Sequence, residues 1–300
     1  MLNRLLARRF GTTRVPEARD RNIVLTGPGR SGTTLTCYLL NMLPDTVALS
    51  EPIAPGKYEK YLPDYEAVAD GIVEFYRQQR RSALERGVVT SKHVGGRVPD
   101  NTKGMKDGVR QRIAEKGEIG VGKELSERFY LAIKQPGLFT AILPTLAKRF
   151  PSYAIVRNPL AIMASTSTLQ KLKKGRKGTR AKRMYDPQLS RLLDENKEEG
   201  ADRTDQQLLR LHYSLERYLE ELPEGHVIRY EDIVESRGKA LSVIVPAARD
   251  LDEPLENKNL NPLYDKERIL EFGERLLASE GAYWRLYSRR DVQEIMDAVA

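Results

Sequence analysis

Residues 26–34 read TGPGRSGTT. They follow a short apolar run, NIVLT at Asn22–Thr26, and lead into LTCYLLNML, whose apolar residues recur at helical spacing. The spacing predicts strand, glycine-rich turn and helix. From 27 to 34 the pattern is that of a phosphate-cradling loop, in which backbone N–H groups at a helix start hold an anion. One position departs from the nucleoside-triphosphate version of that loop. Thr33 stands where a lysine would precede the last Ser or Thr, and the positive charge sits at Arg30 instead. A triphosphate also needs a carboxylate at the end of a nearby strand to hold magnesium. The candidate strand YAIV (153–156) ends instead in Arg157, a residue of the wrong sign. A nucleoside triphosphatase or kinase is therefore disfavoured.

That second strand opens a second unit of the same kind. Asn158 reads as an N-cap, Pro159 as the first helical residue and LAIMAS as the helix. From Asn158 to Ser165 is about two helical turns, so Ser165 faces the same side as the helix start. A further strand is expected in HVIRY (226–230), after the amphipathic segment LLRLHYSLERYLEEL, and another strand-like run, YLAIKQP, carries Lys134. Strands alternating with helices predict an α/β fold with a central, mainly parallel sheet flanked by helices, and ligands at the carboxyl ends of the strands.

Taken together, GPGRSGTT and VRNPLAIMAS resemble the two nucleotide motifs of the sulfotransferases that use PAPS (3'-phosphoadenylyl sulfate). The resemblance implies a P-loop NTPase-like sulfotransferase fold. It implies that Gly29, Arg30, Ser31, Gly32, Thr33 and Thr34 cradle the 5'-phosphosulfate and that Arg157 and Ser165 grip the 3'-phosphate. The implied reaction is transfer of a sulfuryl group to a hydroxyl or amine of a small-molecule, glycan or peptide acceptor, giving PAP (adenosine 3',5'-bisphosphate), with no metal expected. Protein-tyrosine sulfotransferases and many carbohydrate sulfotransferases place a glutamate base after an RSGTT-type loop, and Glu51, in ALSEP where a second strand should end, is similar to it. By the same resemblance Lys134 would meet the leaving bridging oxygen. Arg30, whose planar fork of donors suits an oxyanion, would hold the sulfonate oxygens.

The chain departs from the cytosolic aryl and steroid branch in two places. Pro136 stands where that branch has a histidine base, and no RKG-containing clamp follows near the C-terminus. Lys171, Lys173 and Arg176 are candidates for the missing 3'-phosphate contacts. His93, in TSKHVGG, is a fallback base because histidine titrates near neutrality. His212 and His226 read as structural, as does RYEDI (229–233). The resemblance covers discontinuous pieces from about 22 to 233.

The rest of the sequence sets outer bounds. Its 300 residues are 40% hydrophobic and 31% charged, ordinary for a globular chain, and no apolar run approaches the roughly 20 residues of a membrane span. A single domain over 21–300 is expected behind a basic tail at 1–20, with a polar, cap-like insertion at about 55–120 and a charged excursion at about 170–205. The one cysteine, Cys37, excludes an internal disulfide, and a cytoplasmic location is expected. The net charge of +8 favours an anionic partner. Nucleic acid is disfavoured because the basic run QKLKKGRKGTRAKR carries no aromatic residue to stack bases. The competing readings are a P-loop nucleotide or small-molecule kinase and a non-catalytic protein that binds PAP or nucleic acid.

Overall fold

The computed structural model describes residues 18–54, 56–106, 109–168 and 184–300, so the N-terminal tail at 1–17 and the basic run with Lys171, Lys173 and Arg176 lie outside the described residues. Its strands, in chain order, are β1 (Asn22–Thr26), β2 (Thr46–Ser50), β3 (Val88–His93), β4 (Lys103–Lys106), β5 (Val109–Arg112), β6 (Glu115–Gly120), β7 (Tyr130–Lys134), β8 (Ser152–Val156) and β9 (Val227–Arg229). Five of them form a central sheet in the order β2-β7-β1-β8-β9, every neighbouring pair parallel. The antiparallel pairs β3-β6 and β4-β5 stand apart from it.

Helices cover both faces, as the sequence reading expects. Strand side chains alternate between faces, and in β8 Tyr153 and Ile155 join one apolar cluster while Ala154 and Val156 join another. The first cluster is filled from α1 (Thr33–Leu40) and α2 (Tyr65–Arg86). The chain then continues through α3 (Pro136–Ala141), α4 (Leu143–Leu146), α5 (Pro159–Ser167), α6 (Pro187–Glu198), α7 (Arg203–Glu221), α8 (Tyr230–Glu235), α9 (Lys266–Leu277) and α10 (Arg289–Asp297). Helices α5, α7, α9 and α10 supply the second cluster. No described helix is long and apolar enough to cross a membrane.

Two stretches read as peripheral in the sequence hold more structure than their composition suggests. Within 55–120 lies α2, a single long helix started by the Asp64 side chain and ended at Gly87, which takes the left-handed φ of 66°. Its Val68, Ala69, Ile72, Phe75 and Tyr76 are buried in the core, and Arg80 is buried with them. Polar contacts fix it to the start of the central strands: the Tyr76 hydroxyl donates to the Ile23 carbonyl at 2.7 Å, and Arg80 Nη2 donates to Asn22 Oδ1 at 2.8 Å and to the Phe129 carbonyl at 2.9 Å. The later part of 170–205 forms α6, whose N-cap Asp186 also accepts from Tyr213 and Arg217 of α7 at 2.8 Å each.

Candidate functional site

The glycine-rich turn begins where β1 stops and α1 has not yet started. At Gly27, with φ of 145°, a Cβ would lie 2.2 Å from the Ile155 carbonyl oxygen, so only glycine lets the turn rest on β8. Ser31 closes the turn on itself, its hydroxyl and amide both donating to the Pro28 carbonyl, at 2.8 Å and 3.3 Å. Gly29 is exposed and opens onto empty space. Gly32 is the N-cap of α1, with φ of 93°, and brings no side chain to cap it, which leaves first-turn N–H groups facing outward. Such a helix start attracts an anion through both its donors and its dipole.

On the β8 side of the turn, Arg157, Ser165 and Arg30 come together. Arg30 Nε donates to the buried Ser165 Oγ at 2.9 Å, across 135 positions of sequence. Arg157, itself buried, donates from Nη1 to the Arg30 carbonyl at 3.1 Å, from Nε to Asn259 Oδ1 at 2.8 Å and from Nη2 to the Lys258 carbonyl. Its guanidinium carbon lies 4.7 Å from the centre of the Tyr230 ring. Three of its five N–H groups thus donate to acceptors of the described residues. Asn158 caps α5 as expected, accepting from the Leu160 amide at 3.0 Å.

The other flank of β1 carries Glu51, Lys134 and Thr34. Strand β7 lies between β1 and β2, so Lys134 at its end stands beside both the loop and Glu51. The Glu51 amide donates to the Lys134 carbonyl at 2.7 Å, which carries the β2-β7 ladder one bond further before the chain turns with φ of 45° at Glu51. Lys134 Nζ then reaches Glu51 Oε1 at 2.7 Å and Thr34 Oγ1 at 3.2 Å. The second carboxylate oxygen, Oε2, is ion-paired to Lys92 Nζ. Burial pushes the Glu51 carboxyl up, but Lys134 and then Lys92 outweigh it and bring it from 4.5 down to about 2. Beneath them, burial pushes the Cys37 thiol up to about 12, so it contributes no charge.

Arg30 and Glu51 are both non-glycine residues held at positive φ, 75° and 45°. Strain of this kind persists only where surrounding contacts over-determine it, and here both contacts sets belong to the anion cradle. The site therefore has two halves divided by β1. Arg30 falls in the half with Ser165 and Arg157, whereas Glu51, Lys134 and Thr34 make up the other.

The fallback base His93 is occupied elsewhere: its Nδ1 accepts from the Gly96 amide at 3.3 Å, and its ring packs over Gly117. His226 Nδ1 contacts the Ser152 carbonyl at 2.9 Å and its ring stacks on Tyr153, while His212 Nδ1 accepts from the Ala282 amide at 3.0 Å.

Sequence reasoning missed four contributors. Lys92 comes from the separate β3-β6 pair, and it reaches Glu51 because Ser91 Oγ accepts from the Ser50 amide at 3.0 Å, docking β3 against the end of β2. Tyr230 and Glu231, in the RYEDI segment read as scaffold, form the floor of the Arg157 half. The Tyr230 ring lies so close to Gly32 that a Cβ there would be 2.6 Å from it. Glu231 Oε1 accepts from the Asn158 amide at 3.0 Å and from Asn259 Nδ2 at 2.8 Å. Asn259 belongs to the late segment 256–259 that closes on Arg157. No local pattern in ENKN announces that contact.

Lys134 ends β7 and Arg157 immediately follows β8, so no carboxylate stands at these strand ends flanking the loop. Glu51 is one strand further out and is neutralised by two lysines. The arrangement offers an anion cradle with cations on both sides and one carboxylate at its edge. Compared with known proteins, the chain matches no protein-family model and no curated sequence.

Proposed function

We propose that the protein is a PAPS-dependent sulfotransferase of P-loop fold. The observation that carries this reading is the convergence, at the carboxyl ends of parallel strands, of an uncapped helix start with Arg157 and Ser165 on one flank and Lys134 and Glu51 on the other. The residues suit such a donor. Arg157 suits a 3'-phosphate, with Ser165 and Arg30 beside it, and the α1 amides with Thr34 suit the 5'-phosphate. An ordinary triphosphate with magnesium is less well served, because its metal would meet Lys134 and Arg157 where it needs a carboxylate.

Each chain residue then has a defined task. Glu51 takes the proton from the acceptor hydroxyl or amine as that atom bonds to sulfur, and the bond between sulfur and the 5'-phosphate oxygen breaks, its electron pair staying on the phosphate. Lys134 neutralises the charge that grows on this departing oxygen. Arg30 grips donor oxygens from the Ser165 flank, where its fork already lies, rather than from beside Glu51. The test is transfer of radiolabelled sulfate from PAPS to a panel of phenolic, sugar and amine acceptors. Labelled product that depends on Glu51 supports the reading, and absence of transfer to every class, with PAPS left intact, rejects it.

A further inference from the structure

In the arrangement described above Glu51 is a poor base, because both of its oxygens are already held by ammonium groups. The two holders differ in where else they can go. Lys134 Nζ is shared: it donates to Glu51 Oε1 at 2.7 Å and, at 3.2 Å, to Thr34 Oγ1 in the first turn of α1, the point at which an anion on the loop would arrive. Lys92 approaches Oε2 from β3, an element outside the central sheet. The Ser91 to Ser50 hydrogen bond ties that element to the end of β2.

We propose that Lys92 and Lys134 divide Glu51 between a fixed and a releasable partner, so that the base is bared at Oε1 only when an anion fills the loop. This rests on the reading of the loop as the donor site and of Glu51 as the base. An anion at the α1 start competes with Oε1 for the Lys134 ammonium, since a phosphate with the helix dipole behind it is a stronger attractor than a carboxylate already shared with Lys92. Once Lys134 has turned to that anion, Oε1 keeps no donor and faces the loop. Lys92, still on Oε2, stops the carboxylate from rotating away. Lys92 is thus a positioning residue, and its like-charged cross-strand neighbour supports that assignment. Lys116 lies directly opposite Lys92 in the β3-β6 register, an arrangement that costs stability in a sheet.

The electrostatics agree with the geometry. The charged and titratable groups facing Glu51 are Lys134 from β7, Lys92 from β3 and the neutral Cys37 thiol from α1. Lys134 and Lys92 both hold the carboxyl down, so the departure of Lys134 relaxes that hold and raises the basicity of Glu51. The base therefore strengthens when the donor is in place, which orders the reaction: donor first, acceptor second. Before that, a doubly paired Glu51 is a poor base toward water.

The experiment uses the full chain labelled with 15N and 13C and reads the couplings across the hydrogen bonds from lysine Nζ to the Glu51 carboxyl carbon, assigned with Glu51→Gln and Lys92→Arg. Without ligand, couplings to both Lys92 and Lys134 are expected. With saturating PAP, or with inorganic pyrophosphate as a minimal anion, the Lys134 coupling should vanish while that of Lys92 persists, and the carboxyl midpoint should move up by more than one pH unit. Persistence of both couplings in the anion complex, or loss of the Lys92 coupling instead, overturns the proposal. Calorimetry on the same samples separates the two claims. Failure of PAP to bind rejects the donor assignment, while pyrophosphate still tests the exchange of partners; if neither anion binds, both fall.

Discussion

Arg157 Nη1 donates to the backbone carbonyl of Arg30 at 3.1 Å, so the residue that follows β8 holds the tip of the loop that follows β1. The same guanidinium reaches Asn259 and Lys258 and lies on the Tyr230 ring. One side chain thereby locks together three segments that are far apart in sequence.

Replacement of Arg157 by lysine keeps the charge and loses the fork. A point-charge ammonium cannot serve the Arg30, Asn259 and Lys258 acceptors together. With hydrogen bonds to charged groups worth about 1.5–3 kcal/mol each, PAP affinity should fall roughly tenfold to a hundredfold. The denaturation midpoint of the free protein should fall as well. Isothermal calorimetry and a urea titration measure the two effects, and unchanged values for both would remove Arg157 from the site.

Gly32→Ala tests how closely the loop is seated. The added methyl would meet the Tyr230 ring at 2.6 Å, on a backbone held at φ of 93°. The strained backbone alone costs about 1–3 kcal/mol, and the collision adds to it. Lower stability together with lost PAP binding is expected, both legible in a thermal melt with and without PAP.

For Glu51→Gln, transfer should drop by about 10²–10⁴ while PAP affinity is kept or rises, because the carboxylate acts on the acceptor and competes with the nucleotide only for Lys134. Initial rates against calorimetric Kd check this. Equal turnover in the variant would show that Glu51 is not the base.

The same residue sets an acid limb. Its folded-state carboxyl is depressed, from 4.5 to about 2, so its contribution to stability is complete above pH 4.5 and is lost as pH falls toward 2. Stability measured between pH 6 and pH 3 should therefore fall more steeply in the parent than in Glu51→Gln, where there is no such proton to bind. Parallel acid limbs in the two proteins would contradict the pairing.

Much of the parallel sheet was legible because each strand announces itself locally. NIVLT, YAIV and YLAIK are short apolar runs, and Asn158 with Pro159 marks a helix start by residue type alone. The Arg157 and Ser165 half of the site could be anticipated for the same reason, since both residues lie in one strand-to-helix unit. Lys92 could not, because it reaches Glu51 only through the docking of Ser91 on Ser50, a contact between elements 41 positions apart. In helix α2 only the stretch GIVEFYRQQRRSAL is legible as helical, because its charged residues mask the buried stripe. The contact of Arg30 with Ser165, 135 positions away, has no local signal in the sequence either.

The most direct test of the central claim is calorimetric binding of PAP against ATP with magnesium to the full chain. The account predicts that PAP binds at least a hundredfold more tightly, a difference of about 2.7 kcal/mol, and that magnesium leaves its affinity unchanged. ATP binding equal to or tighter than PAP, and strengthened by magnesium, would contradict it.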